Sequence, residues 1–341
     1  MNDMSQSDAP DVDRLVDRWG RVHRSLRLSV TDRCNIRCFY CMPNEAIPFQ
    51  PREQLLTFEE ITRAVRVAAG LGVEKLRLTG GEPLVRQDLS HLVEMLKGIP
   101  GIREVALTTN GILLVEHAEA LMRAGLDRIN ISLDTLDEPT FQTITRRSGL
   151  HRVLEGIQAA REVGFQGTRL NAVAIAGMIE RDAATLVRYA HEHGMAMRFI
   201  EFMPLDAQQD WTKQQVVSGE RLRELLSAEF GPLEPIPRPD PAQPSRDWKS
   251  ASTGGVIGFI EPVSRPFCES CNRLRLTAEG QLRNCLFSIE EWDLRALLRS
   301  EADDHAIRSL MLDCVRAKRA AHGIDTPDFQ RPERAMYQIG G

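Results

Sequence analysis

Short apolar runs alternate with longer stretches of helical periodicity along this chain. Six segments have the length and aliphatic content of strands: 25–30, 75–78, 104–108, 128–132, 168–174 and 196–202. Between them, apolar residues recur at helical spacing over about 57–70, 88–97, 112–124, 150–163 and 182–193. The first of these helices opens on Thr57-Phe58-Glu59-Glu60, a capping box in which the Thr57 hydroxyl and the Glu60 carboxylate satisfy main-chain donors reciprocally. Gly70 and Gly72 supply its stop. Strand–helix alternation of this kind predicts βαβ units and a parallel sheet. No G-x-G-x-x-G follows the first strand, which disfavours a dinucleotide fold. The expected fold class is α/β: a partial (β/α)6-type TIM barrel over 25–230 with a C-terminal α+β extension over 255–341. Residues 1–24 are polar and acidic and read as a flexible N-terminal segment, and the Pro-rich stretch 231–254 reads as a linker. Short strands at 255–261 and 273–277 and helices at about 291–300 and 303–321 follow. In such a barrel the chemistry sits at the C-terminal ends of the strands. The unusual residues fall there: Cys34 to Cys41, Gly80-Gly81-Glu82-Pro83, Thr108-Thr109-Asn110-Gly111, Ser132-Leu133-Asp134 and Glu201-Phe202-Met203-Pro204.

Composition narrows the classes of function. With 42% hydrophobic and 27% charged residues the chain is ordinary globular protein, which excludes disorder, collagen and coiled coil. Its 43 Lys+Arg against 48 Asp+Glu give a net charge of −5, a poor balance for general binding of nucleic acid or anionic membrane. Any anionic ligand must be held by local arginine clusters. The longest apolar stretch, 172–179, is far short of the roughly 20 residues of a spanning helix. The N-terminus lacks a basic-then-apolar leader, so a cytoplasmic location with reduced thiols is expected. There, seven cysteines point to metal or catalysis rather than to disulfides.

Six of the seven fall into two sets of three. Cys34, Cys38 and Cys41 have C-x3-C-x2-C spacing just after the first strand. Three thiolates so close in sequence converge on one inorganic centre, and an iron–sulfur cubane with three protein ligands keeps one iron open to a small molecule. A zinc site or three buried cysteines is the competing reading, but C-x3-C is atypical of zinc knuckles. The second set is Cys268, Cys271 and Cys285. Structural zinc normally takes four protein ligands, and segment 265–290 holds no His to be the fourth, so a second open-sited cluster is expected. Cys314 lies in a helical pattern without a thiol neighbour and reads as a small buried side chain.

The C-x3-C-x2-C loop with an aromatic before its last Cys, followed by Thr79-Gly80-Gly81-Glu82-Pro83, resembles the radical S-adenosylmethionine (SAM) superfamily. Within it, the chain is most similar to the family of GTP 3′,8-cyclases of molybdenum cofactor biosynthesis. Carrying features are Cys41-Met42-Pro43, Leu107-Thr108-Thr109-Asn110-Gly111, the run from Arg198 to Pro204, the run from Phe267 to Leu276 with its Asn272-Arg273-Leu274-Arg275, and the terminal Gly340-Gly341. The resemblance implies a lyase with two [4Fe-4S] clusters. The first, on Cys34, Cys38 and Cys41, would bind SAM, and the second, on Cys268, Cys271 and Cys285, would bind guanine on its open iron. It assigns Tyr40, Gly81, Ser132 and Met203 to SAM. It assigns Arg27, Arg77, Thr108, Arg169, Arg273, Leu274 (through its backbone) and Arg275 to GTP. It gives catalytic roles to Arg273, Gly340 and Gly341. The implied reaction removes the C3′ hydrogen of GTP, joins C3′ to C8 of guanine, and yields (8S)-3′,8-cyclo-7,8-dihydroguanosine 5′-triphosphate, the first step of the pathway. A homodimer, an unidentified electron donor and passage of product to cyclic pyranopterin monophosphate synthase complete the expectation. The family usually has Lys where this chain has Arg169. Segment 205–215 matches no usable pattern. The rival readings are another radical SAM enzyme with an auxiliary cluster, such as a peptide maturase, and a non-enzymatic iron–sulfur or zinc module.

Overall fold

The computed structural model describes residues 14–43, 47 and 49–340. Six strands and their helices follow in turn: β1 (Ser25–Ser29), α1 (Phe58–Gly70), β2 (Lys75–Thr79), α2 (Leu89–Lys97), β3 (Glu104–Thr109), α3 (Leu114–Arg123), β4 (Arg128–Ser132), α4 (Glu138–Thr145), α5 (Leu150–Glu162), β5 (Arg169–Ala174), α6 (Ile179–Glu192) and β6 (Ala196–Glu201). Then come α7 (Gly219–Phe230), β7 (Leu233–Pro235), β8 (Arg246–Ser250), β9 (Val256–Ile260), β10 (Arg273–Leu276), β11 (Gln281–Arg283), β12 (Trp292–Asp293), α8 (Leu294–Leu298), α9 (Asp304–Arg316) and α10 (Met336–Ile339).

All twelve strands form one sheet in the order β12-β11-β10-β1-β2-β3-β4-β5-β6-β9-β8-β7. The run from β10 to β9 is parallel throughout, and the pairs beyond it on either side are antiparallel. The six expected βα units are therefore present. The C-terminal extension continues the same sheet at both edges, β10 beside β1 and β9 beside β6. The edge strands β12 and β7 are not paired with each other.

Alternation decides which side chains face which layer. Leu26 and Leu28 of β1, Leu76 and Leu78 of β2, and Leu274 and Leu276 of β10 are buried in the main apolar core. Successive side chains on a strand point to opposite faces, so Arg27, Arg77 and Arg275 face the concave side of the sheet. The capping box at Thr57 and Glu60 forms as the sequence predicts.

Two expectations change. Residues 14–24 are packed rather than loose: Leu15 and His23 have no exposed surface, and Val16 bridges Val22. Leu15 seals against the main core and Asp17 organises the turn, signals too short to register as periodicity. Segment 231–254 is not a bare connector, because it supplies β7 and β8, with Trp248 packed against the core. α4 and α7 were not foreseen, although each begins on a capping side chain, Asp137 and Ser218.

Candidate functional site

One cavity of about 1970 Å³, measured out to its open mouth, lies on the concave side at the C-terminal ends of the parallel strands. All six clustered cysteines line it. The sequence sets them 227 or more residues apart; the sheet order brings them together, because β10 pairs with β1.

The first cysteine loop leaves β1 and packs against the end of β2. Gly81 donates its N–H to the Thr31 carbonyl at 2.8 Å, and Glu82 donates to Arg33 at 2.8 Å. A Cβ on Gly80 would lie 2.5 Å from the Thr31 oxygen, and one on Gly81 would overlap the Arg33 carbonyl. Their missing side chains make room for the loop that carries the cysteines, and both glycines also line the cavity. Glu82 is buried and accepts from Thr109 Oγ1 at 2.7 Å and from the N–H of Asn110 at 2.7 Å and of Leu84 at 3.0 Å. Burial outweighs these three donors and pushes its carboxyl up to about 7. Tyr40 donates its hydroxyl to Asp134 Oδ2 at 2.6 Å, and Asp134 Oδ1 accepts from the Val173 N–H at 2.8 Å. Ser132 and Met203 line the same wall.

The second set stands in a short turn, Cys268–Ser270, just before β10, with Cys285 just after β11. Arg273 lies over the Phe267 ring at 4.8 Å and donates to Cys271 Sγ at 3.3 Å. Among the described residues, no three His, Cys, Asp or Glu side chains are gathered tightly enough to hold one metal ion. Two thiolates on one zinc at 2.3 Å each are at most about 4.6 Å apart. A cubane spreads its ligands over separate irons. Two sets of three soft thiols, each facing a roomy cavity, fit a cluster of that kind by donor chemistry.

The arginines form rows across adjacent strands. Arg27 is in register with Arg77 on one side and Arg275 on the other. Neighbouring strands are about 4.8 Å apart, and like charges directly opposite are destabilising. Burial, Arg275 and Arg273 together pull the Arg27 guanidinium well below its usual range. Arg275 is lowered to about 9, by burial and then by Arg273, and stays charged at neutral pH. Such a row is built for a polyanion. Arg77 Nη1 also donates to Thr108 Oγ1 at 3.3 Å, and both line the cavity. Gly340 stands at φ +85°, and its carbonyl oxygen accepts from Arg275 Nη1. Gly341 lies outside the described residues.

Two expected substrate residues stand apart from the cavity wall. The Leu274 side chain is buried in the core, so only its backbone is available. Arg169 opens β5 on the face shared with Asn171, one layer below the wall, and its Nη1 is buried without a partner. Arg198 does line the wall, with one nitrogen 3.1 Å from Asp247 and a buried Nε without a partner. No role for it is assigned above, although it alternates with apolar Met197 and Phe199 as the other cavity-facing arginines alternate with leucines.

Comparison with known proteins agrees with this geometry. Residues 28–190 match the model of the radical SAM superfamily, and 195–324 match that of Molybdenum Cofactor Synthesis C. A protein of Rhodopirellula baltica named GTP 3′,8-cyclase is 52% identical over 330 residues, covering 96% of this chain and 92% of its own. Proteins of the same name from Rhodococcus opacus (43% identical, covering 99% of this chain and 96% of its own) and Streptomyces coelicolor (44%, covering 96% of each) are also similar. Among solved structures, Streptococcus suis SuiB bound to S-adenosylmethionine superposes with a TM-score of 0.60 at 15% identity, covering 92% of this chain and 77% of that one. This last likeness is one of fold.

Proposed function

The chain belongs to the family of GTP 3′,8-cyclases within the radical SAM superfamily, and from that premise we propose that it converts GTP to (8S)-3′,8-cyclo-7,8-dihydroguanosine 5′-triphosphate, the first step of molybdenum cofactor biosynthesis. The observation that carries the reading is the single cavity onto which both cysteine sets and the row of Arg77, Arg27 and Arg275 open. In this reading Cys34, Cys38 and Cys41 hold one [4Fe-4S] cluster, and Cys268, Cys271 and Cys285 hold a second. When bound, the first cluster and SAM supply a carbon-centred radical able to take a hydrogen from ribose.

The chain's own residues do the rest. Tyr40, fixed by Asp134, joins Gly81, Ser132 and Met203 in holding SAM beside the first set. Arg27, Arg77, Arg273 and Arg275, with Thr108 and the Leu274 backbone, grip the nucleotide, and the arginines neutralise its triphosphate by paired hydrogen bonds. Arg169, with its orphaned Nη1, adds charge from the layer below. Arg273 keeps the base against the second set through its bond to Cys271. Gly340 caps the reacting groups, with Arg275 fixing its carbonyl, and Gly341 shares its catalytic role. Enclosure by the sheet and this tail keeps water and other hydrogen donors away from reactive carbon.

The division into a barrel over 25–230 and an auxiliary-cluster region over 255–341 belongs to the same reading. So do a one-electron donor, a second copy of the chain as dimer partner and cyclic pyranopterin monophosphate synthase as consumer of the product. All seven cysteines are free, which supports a reducing compartment such as the cytoplasm. No described helix is long and apolar enough to cross a membrane. The test is anaerobic reconstitution with GTP, SAM and a reductant, followed by mass analysis. The expected products are 5′-deoxyadenosine and the cyclised nucleotide in step; 5′-deoxyadenosine alone, with GTP intact, would overturn the substrate assignment.

A further inference from the structure

The main chain around the second cysteine set is held by two buried cations far away in sequence. Arg21 Nη1 donates to the Cys268 carbonyl at 2.7 Å. Lys318 Nζ donates to the Asn284 carbonyl, one residue before Cys285, at 2.7 Å. It also donates to the Arg273 carbonyl, two residues after Cys271, at 3.0 Å, and lies 3.6 Å from Cys271 Sγ. Each of the three cysteines is thus fixed, at its own carbonyl or within two residues, by an ammonium or a guanidinium.

The two cations are themselves interlocked. Asp17 Oδ2 accepts from Arg21 Nε at 2.6 Å, and Asp17 Oδ1 accepts from the Arg21 N–H at 3.0 Å. Arg21 also donates to the Arg319 and Ala320 carbonyls, at 2.7 and 2.8 Å. The Trp19 indole donates to the Lys318 carbonyl at 3.2 Å. The packed N-terminal hairpin therefore clasps the segment after α9 against the cysteine turn.

Charge makes the arrangement more than scaffolding. Lys318 is only 3% exposed, and among the described residues its hydrogen bonds go to carbonyls and a sulfur, none to a carboxylate. An ammonium sealed from water without a counter-charge is costly. Three thiolates carrying an iron–sulfur cluster would supply that counter-charge. Cations that hydrogen-bond around a cluster also set its potential.

We propose that Arg21 and Lys318 are positioning residues for the second cluster: they hold the main chain of Cys268, Cys271 and Cys285 in ligating arrangement, and Lys318 offsets the negative charge of the loaded site. This rests on the two-cluster reading above. Besides Cys271 and Cys285, the titratable groups near Lys318 are Arg273, Arg21, His23 and Cys314, and the proposal concerns fixed charge and geometry rather than titration.

The test uses the full chain with Cys34, Cys38 and Cys41 changed to Ser, so that all iron reports the second site. About four irons per chain are expected there, at four per cubane. Adding Lys318→Met should cut that content at least twofold, and Arg21→Met should do the same. Lys318→Gln keeps a donor without the charge. It should retain most of the iron but move the midpoint potential of the cluster to more negative values, a shift that a purely structural role would not produce. Full iron with an unchanged potential in these variants would overturn the proposal. If Lys318→Met fails to fold, an unchanged potential in Lys318→Gln overturns it alone. In the otherwise native chain, the Lys318 variants should still bind SAM; equal loss of both clusters would reduce the two cations to general fold stabilisers and overturn the proposal. A Cys268→Ser/Cys271→Ser/Cys285→Ser chain that keeps all its iron would instead sink the two-cluster reading. Loss of half the iron there, with no effect in the Lys318 variants, would sink this inference only.

Discussion

Cys34, Cys38 and Cys41 lie in a loop where burial pushes every thiol up, Cys34 to about 12. Nearby negative groups push the same way: Glu82 on Cys34 and Asp134 on Cys38. In the second set, burial raises Cys268 as well, but at Cys271 the cations Arg273 and Lys318 more than offset burial and bring the thiol down to about 5. The two sets therefore differ in field at Cys271, where the cations stand. The first set holds its protons until a metal displaces them, so loading it should release protons. The second set has a thiolate in place beforehand, next to arginines that extend into the polyanion row. A field that favours anions at the second set supports the proposal that the nucleotide binds at that end of the cavity, with the sulfonium cofactor at the other.

The largest expected effect removes one side of this contrast. Reconstituted protein should contain about eight irons per chain, and changing Cys268, Cys271 and Cys285 together to Ser should leave about four, by iron assay against protein. Retention of eight would mean that only one region binds metal.

Next in size is the tail that caps the arginine row. A Cβ on Gly340 would fall 2.8 Å from Thr79 Cγ2 and 3.1 Å from Ser29 Cβ, on backbone at φ +85° that L residues avoid. Gly340→Ala should lower cyclised product at least tenfold, equivalent to about 1.4 kcal/mol. Iron content and GTP affinity should stay near native. Native product yield from that variant would detach the tail from the reaction.

A separate effect, on stability rather than on turnover, isolates the clasp behind the second set. His23 is fully buried against Asp17, 3.0 Å away. Burial and then Lys318 lower it to about 4, against the opposing pull of Asp17. The folded value lies below the ordinary one, so its stabilising share is present above about pH 6.5 and is lost as pH falls toward 4. The drop amounts to about 3 kcal/mol. His23→Gln should remove this component, seen as a flatter dependence of the urea midpoint on pH between 7 and 4. An unchanged slope would show that His23 does not stay neutral in the fold.

The smallest concerns Arg169. Losing the charge that Arg169 adds from the layer below the wall should cost at most about 1.5 kcal/mol, roughly tenfold in affinity, the value of one charge-assisted contact. Arg169→Ala should weaken GTP binding by up to that much, and Arg169→Lys should bind as the native chain does. Calorimetric titration with GTP distinguishes these, and native affinity in the Ala variant would remove Arg169 from the site.

Local pattern made much of this legible. Arg27, Arg77 and Arg275 alternate with leucines, so their shared face was readable strand by strand, and the cysteine spacings marked both sets. What alternation does not carry is register between distant segments. That Arg275 lies beside Arg27 depends on β10 pairing with β1 across about 250 residues, and no local signal encodes it. Arg21 and Lys318 were invisible for the same reason. Each sits among other cations in sequence, Arg18 and Arg24 around Arg21 and Arg316 and Arg319 around Lys318, and its meaning comes from the carbonyls it meets after folding. At Gly80 and Gly81 the sequence shows that space is needed, not what fills it; the neighbouring loop fills the place of their side chains.

The central claim is that two differently charged cysteine sets on one cavity hold two different ligands. The direct measurement is binding of SAM and GTP, by equilibrium dialysis under anaerobic conditions, to the two reconstituted triple-Ser chains. The account predicts that the Cys268/Cys271/Cys285 variant keeps SAM and loses most GTP affinity, and that the Cys34/Cys38/Cys41 variant does the reverse. Loss of both ligands, or of neither, in either chain would contradict it.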